Sequence, residues 1–161
     1  MAGENYTGAN LSGQNLSGRD LSGAIFYGAK CAGTNFTKAN LSGADFYGAD
    51  CTNAIFSGAT LHGARLYGAD LSPVTAHHTL FHGANCLGAD FHEADLLGAS
   101  FAGANLRGAD FHNVNLQGGN LRQATCRGTD FHNADLSHVD ATGANFNGAD
   151  LSGANTHDMK R

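Results

Sequence analysis

The sequence predicts a solenoid of the β class, a coil stacked on itself, from two observations. Every Phe and every Cys lies at a residue number that leaves a remainder of one on division by five, as do 13 of the 16 Leu. This phase holds from Tyr6 to Thr156 without an insertion or a deletion. A fixed short period over this length is the signature of a repeat architecture.

The repeating unit is centred on one bulky residue, as in Ala-Asn-Leu-Ser-Gly at residues 39–43. Among 31 units, the centre is Leu 13 times, Phe 10 times and Cys four times. Ala lies two positions before the centre in 21 units, and Gly lies two positions after it in 21 units. Asn or Asp mostly precedes the centre, and a variable, mostly polar residue follows it.

A period of five excludes both regular secondary structures. In a helix every fifth residue is rotated by about 140°, so no apolar face forms. In a flat strand an odd period sends successive centres to opposite faces. A coil that turns a corner in every unit satisfies the period, because Gly and Asn or Asp suit corner conformations.

The unit resembles the motif of the pentapeptide repeat family, A(D/N)LXX, as in Ala-Asn-Leu-Ser-Gly at residues 9–13. The resemblance covers the chain from Glu4 to about Asp158. It implies an all-β fold, a right-handed quadrilateral parallel β-helix with four units in each coil. The 31 units would form about eight coils of one domain, residues 1–161, with the centre and the Ala facing inward.

Composition and charge narrow the function classes. The formal net charge is −5 and 14% of the residues are charged, which argues against direct nucleic-acid binding. There is no apolar run of about 20 residues that would span a membrane. The start of the chain lacks the basic and apolar regions of a secretory signal, so we expect a cytoplasmic protein.

Neither catalysis nor a cofactor is expected. The sequence specifies no nucleophile–base–carboxylate set and no phosphate-binding Gly loop, because its Gly residues form the corners. All four cysteines occupy inward centres, where we expect buried free thiols: Cys31, Cys51, Cys86 and Cys126. Without a CxxC pair or a clustered Cys/His set, no structural metal site is expected.

A 20-residue coil places residues 20 apart above one another, and one resulting column is acidic. We call this set the acidic column: Asp50, Asp70, Asp90, Asp110, Asp130 and Asp150. Asp suits the corner geometry, but Asn serves the same purpose on the other faces. The alternative is a negative stripe that imitates a polyanion or attracts a basic partner.

A histidine column, His92, His112 and His132, lies beside the acidic column. Stacked imidazoles titrate near neutral pH or bind transition metals. Three rings over two coil steps span roughly 10 Å, too far for one tight site. We therefore expect surface side chains here, and the same for the pair His62 and His82.

A third column, the tyrosine column, combines aromatic and basic side chains that point outward. It consists of Tyr27, Tyr47 and Tyr67, followed by Leu87 and then by Arg107 and Arg127. Stacked rings are favourable contacts along a β-ladder. Tyr and Arg also anchor protein interfaces, so this column is the best candidate for partner binding.

Residues 72–80, Ser-Pro-Val-Thr-Ala-His-His-Thr-Leu, depart from the repeat. Pro73 replaces a corner Gly and removes a backbone donor from the ladder. Ala76 is an undersized centre. The sequence therefore predicts a bulged or loop-like coil here, which is either a functional loop or a tolerated defect.

Two function classes remain open, with metal buffering by the histidines as a weaker third. The first is a non-catalytic scaffold that presents its faces to a protein partner. The second is a DNA-mimicking modulator or protector of DNA gyrase. It follows from a resemblance to the family members that protect topoisomerases, whose negative surface imitates the DNA that DNA gyrase binds. Because the terminal coils lack caps, we also expect an end-to-end homodimer, or alternatively a chain cut from a longer one.

Overall fold

The computed structural model describes residues 2–161, and these form one stack of coils. Its bridged residues pair in parallel with residues 20 positions further on, from Asn5 with Ile25 to Asp140 with Lys160. Each coil therefore contains four five-residue units, as the resemblance to the pentapeptide repeat family implies. The described residues contain no helix and no continuous strand, because a corner follows every bridge.

A repeated pattern of hydrogen bonds joins the units, as the unit centred on Phe26 illustrates. The Phe26 amide donates to Asp45 of the next coil at 2.7 Å, and the Gly28 amide donates to Tyr47 at 2.9 Å. The Ala29 amide, at the start of the next unit, donates to the Phe26 carbonyl at 2.9 Å and closes the corner. This repeated pattern satisfies the backbone groups that a coil without regular strands would otherwise leave unpaired.

The corner explains why Gly recurs two positions after the centre. Twenty-one glycines and nine other residues occupy this position with φ between 52° and 73°. In these turns only the third residue has positive φ, which matches a type II turn and favours Gly or Asn there. Asn or Asp before the centre completes the corner, since its side chain accepts the amide hydrogen two residues on, as Asn10 does from Ser12 at 3.1 Å.

The interior is filled by the centres and the small residues that precede them. Phe26 and Phe46 lie in adjacent coils, and their rings stack with centroids 4.5 Å apart. Phe36, two centres further along the same coil, meets Phe26 edge to face at 5.7 Å. Nine of the ten Phe and all four Cys are buried, which confirms the predicted inward positions.

The structure corrects the expectation of a bulged coil at residues 72–80. Thr75 bridges both Ile55 and Asp95, and Leu80 bridges both Thr60 and Ser100, so the coil continues in register. Pro73 lacks an amide hydrogen and cannot adopt positive φ, so it changes the hydrogen bonding of its own corner. There the Asn53 amide donates to the Pro73 carbonyl rather than to residue 72.

Candidate interaction surface

The acidic column is continuous in the structure. Each of its residues bridges the next, from Asp50 through to Asp150. Five of the six are half-buried and Asp150 is exposed. A row of carboxylates, one from each coil, therefore follows one face of the solenoid.

Every carboxylate of this column makes the corner bond. Asp90 and Asp110, for example, each accept a backbone hydrogen bond of 2.9 Å, from His92 and His112 respectively. Asn makes the same bond on other faces, as Asn105 does with Arg107 at 3.2 Å. The corner thus accounts for an Asx residue at these positions but not for the consistent choice of Asp. At the end of the column, the hydrogen bonds from Ser152 lower the pKa of Asp150.

The histidine column lies at the corner that follows the acidic face. The rings of His92 and His112 are parallel, with centroids 5.1 Å apart. Each ring has its Nδ1 atom 2.7 Å from the carboxylate two residues before it. The hydrogen bond with Asp90 raises the pKa of His92. His132 differs, because its Nδ1 atom lies 2.8 Å from the hydroxyl of Ser152.

The tyrosine column lies at the corner on the other side of the acidic face. Its rings stack with centroids 5.1 Å apart at both steps, from Tyr27 to Tyr47 and from Tyr47 to Tyr67. The three residues are 51%, 37% and 41% exposed, respectively. Stacking orders the three rings against one another, but part of each aromatic side chain remains open to solvent. Ile25, 38% exposed, adds apolar surface beside this corner.

The column continues with basic side chains that lack an acidic partner within residues 2–161. Arg107 and Arg127 are exposed, and neither forms an ion pair with a described carboxylate. Arg65 and Arg122, by contrast, lie 3.4 Å from Asp45 and 3.0 Å from Asp140. The two unpaired guanidinium groups are thus available to a partner.

Three buried hydroxyls were not predicted from the sequence. Thr34, Thr79 and Thr129 replace the small Ala, and each is fully buried. Each hydroxyl donates to the carbonyl of the centre 23 residues earlier, at 2.9, 2.7 and 2.7 Å. Thr at an Ala position was the available signal, since a buried hydroxyl requires an acceptor.

Three of the buried cysteines have raised thiol pKa values. Burial raises the pKa of Cys126 to about 12 and also raises that of Cys86. The neighbouring thiol of Cys31 and burial together raise the pKa of Cys51 well above its usual range. All four are free thiols inside the core.

These features define a class of protein, a β-solenoid repeat protein whose side chains form long columns on flat faces. The family model described as pentapeptide repeats matches in eight copies, over residues 7–43, 34–72, 84–123 and 120–155. The chain belongs to the pentapeptide repeat family and has its right-handed quadrilateral β-helix. No enzyme family is indicated.

Three solved structures illustrate the likeness. Trypsin-treated QnrB1, a plasmid-mediated fluoroquinolone resistance protein, is 20% identical, with a TM-score of 0.76 over 99% of this chain and 90% of its own. HetL from the cyanobacterium Nostoc, a pentapeptide repeat protein involved in heterocyst differentiation regulation, is 25% identical over 96% of this chain and 84% of its own, with a TM-score of 0.48. A pentapeptide repeat protein from the Arabidopsis thaliana thylakoid lumen is 34% identical over 71% of this chain and 70% of its own, with a TM-score of 0.29.

A search of curated proteins gave no significant match. Among residues 2–161, no helix is long and apolar enough to cross a membrane.

Proposed function

We propose that this protein is a non-catalytic interaction module whose tyrosine column binds a protein partner. The observation that carries this proposal is the exposed stack of Tyr27, Tyr47 and Tyr67 on a backbone that is hydrogen-bonded in every coil. Aromatic rings held in place lose little conformational entropy when a partner covers them. The unpaired guanidinium groups of Arg107 and Arg127 extend the same corner and supply the polar contacts that orient a partner.

The test compares the proteins captured by the native chain and by two variants. Changing Tyr27, Tyr47 and Tyr67 to Ser should abolish capture of the specific partner, because it removes the aromatic surface. The matched control changes His62 and His82 to Ser, since these rings also stack, at 4.8 Å, on another corner. Equal capture by both variants would contradict the proposal.

A modulator of DNA gyrase is the second candidate, and the unbroken acidic column favours it. The fold likeness to QnrB1, a fluoroquinolone resistance protein, is consistent with this candidate. One carboxylate per coil step of roughly 4.8 Å is, however, only about a third of the charge density of duplex DNA, roughly one charge per 1.7 Å. The column alone would therefore imitate DNA weakly.

A gyrase supercoiling assay with and without a fluoroquinolone tests this second candidate. Inhibition or drug protection should disappear when Asp90, Asp110 and Asp130 are changed to Asn, which keeps the corner bond and removes the charge. The matched control makes the same change at Asp45, Asp95 and Asp135, whose carboxylates lie on other faces. If the native chain has no effect on gyrase, this candidate fails and the first is unaffected.

A further inference from the structure

The three-residue sequence Asp-Phe-His occurs in three successive coils, at residues 90–92, 110–112 and 130–132. The Phe of each is fully buried, so it fixes the Asp and the His on the outside at either side of it. Parallel bridges join Asp90 to Asp110 and Asp110 to Asp130. The solenoid thus holds a column of carboxylates beside a column of imidazoles.

One part of this ladder brings three ligand atoms together. Atoms from Asp110, His112 and Asp130 all lie within 4.8 Å of one another, and all three residues are half-buried. This set of two carboxylates and one imidazole comes from two coils. It is more compact than the three imidazoles of the histidine column. This smaller set fits around one ion after a modest side-chain adjustment, because its ligand bonds are about 2.0–2.2 Å long.

In the next coil, the Asp130 carboxylate is available as a ligand. The carboxylates of Asp90 and Asp110 each contact the imidazole of their own unit at 2.7 Å. His132 instead contacts Ser152, so within residues 2–161 the Asp130 carboxylate keeps only the backbone bond from His132, at 2.8 Å. Asp130 therefore has an oxygen free to face His112 from the adjacent coil.

We propose that Asp110, His112 and Asp130 bind a divalent transition-metal ion of the Zn²⁺ class. One imidazole nitrogen and one oxygen from each carboxylate would serve as ligands, and water would complete the shell. The ion would require a neutral imidazole with its coordinating nitrogen unprotonated. It would also neutralise two adjacent carboxylates. The nitrogen ligand favours Zn²⁺, Ni²⁺ or Co²⁺ over Ca²⁺ and Mg²⁺, which prefer oxygen alone.

Nuclear magnetic resonance of the full chain, with ¹⁵N-labelled histidine and added Zn²⁺, tests this site. The expected result is a saturable shift of one imidazole nitrogen of His112, which Ca²⁺ at the same concentration does not reproduce. Asp130→Asn should weaken binding at least about tenfold, since loss even of an outer-shell partner costs 10–100-fold. This variant keeps the amide oxygen that accepts the His132 backbone hydrogen.

The matched control is Asp50→Asn, which removes the same charge from the same column outside the cluster. It should change Zn²⁺ affinity less than about twofold, because charges several coil steps away are screened. Equal weakening by both variants would show a diffuse attraction of cations to the acidic column and would overturn the proposal. So would the absence of a saturable His112 shift up to about 1 mM Zn²⁺. Circular dichroism of both variants confirms that each is folded.

Discussion

The interior and the exterior of this solenoid differ in what their side chains must satisfy. Phe91 and His92 are consecutive, yet Phe91 is fully buried against other aromatic rings. The His92 ring lies at the surface, against a carboxylate and a neighbouring imidazole. Inside, each position contacts the coils on both sides, so few residue types fit. Outside, only the corner bond constrains the chain, and the columns are free to carry charge, rings or metal ligands.

The first prediction tests this difference directly at Phe91 and His92. Phe91→Ala should lower the free energy of unfolding by about 3–5 kcal/mol, because it leaves a cavity among packed rings. His92→Ala should cost under about 0.5 kcal/mol, as expected of a surface position. Chemical denaturation followed by circular dichroism measures both, and equal losses would contradict the inward and outward assignment.

The second prediction concerns a polar group placed inside. Thr79→Val keeps the shape of the side chain and removes the hydroxyl that donates to the Phe56 carbonyl at 2.7 Å. We expect the free energy of unfolding to fall by about 0.5–1.5 kcal/mol, the net value of one hydrogen bond. Thr60→Val is the control, since Thr60 points outward from a bridge, and denaturation should place it within about 0.5 kcal/mol of the native chain.

The third prediction concerns the corners, where interior and exterior meet. Glu93 adopts φ of 58°, a conformation that costs a non-Gly residue roughly 1–2 kcal/mol. Glu93→Gly removes this strain but adds about 0.5–1 kcal/mol of unfolded-state entropy, so a net gain in stability of about 0.5–1 kcal/mol is expected. Asn113→Gly, one coil further on with φ of 57°, should be nearly neutral because Asn tolerates this region. A gain in midpoint denaturant concentration for both variants alike would refute the reason given.

The segment 72–80 shows which part of the fold the sequence determines. The family model leaves residues 73–83 unmatched, yet the bridges of Thr75 and Leu80 continue without interruption. The bulge was predicted from the loss of Ala, Asn and Gly, which are corner and spacing signals. The coil instead forms because its side chains are buried and its backbone bonds to the coils on either side. Those contacts cannot be inferred from the sequence of this segment alone.

The candidate surface was predictable in position but not in detail. A 20-residue spacing is sufficient to place Asp110 beside Asp130 in the acidic column. It does not reveal that His132 turns towards Ser152 while His112 keeps its own carboxylate, because that choice depends on side-chain rotation. The acceptor of the Thr79 hydroxyl was likewise invisible, since it lies 23 residues away on another coil.

The fourth and smallest prediction concerns an exterior carboxylate and leaves the interior unchanged. The hydroxyl of Thr142, 2.6 Å from Asp140, lowers the pKa of Asp140 to about 2, and Arg122 contributes less. Because this pKa is depressed in the folded state, its contribution to stability is present at neutral pH and is lost as the pH falls from about 4 to about 2. Thr142→Val should raise the Asp140 pKa towards its usual value, and more than Arg122→Gln does.

Side-chain ¹³C resonances of Asp140, followed through an acid titration, measure this pKa in each variant. An unchanged value in Thr142→Val would contradict the assigned cause. The titration of Asp135 serves as the control, because its pKa is lowered by Ser137 rather than by Thr142. A pKa change confined to Asp140 would show that an exterior side chain affects only the groups of its own corner. Such local effects explain why columns of different chemistry can share one uniform core.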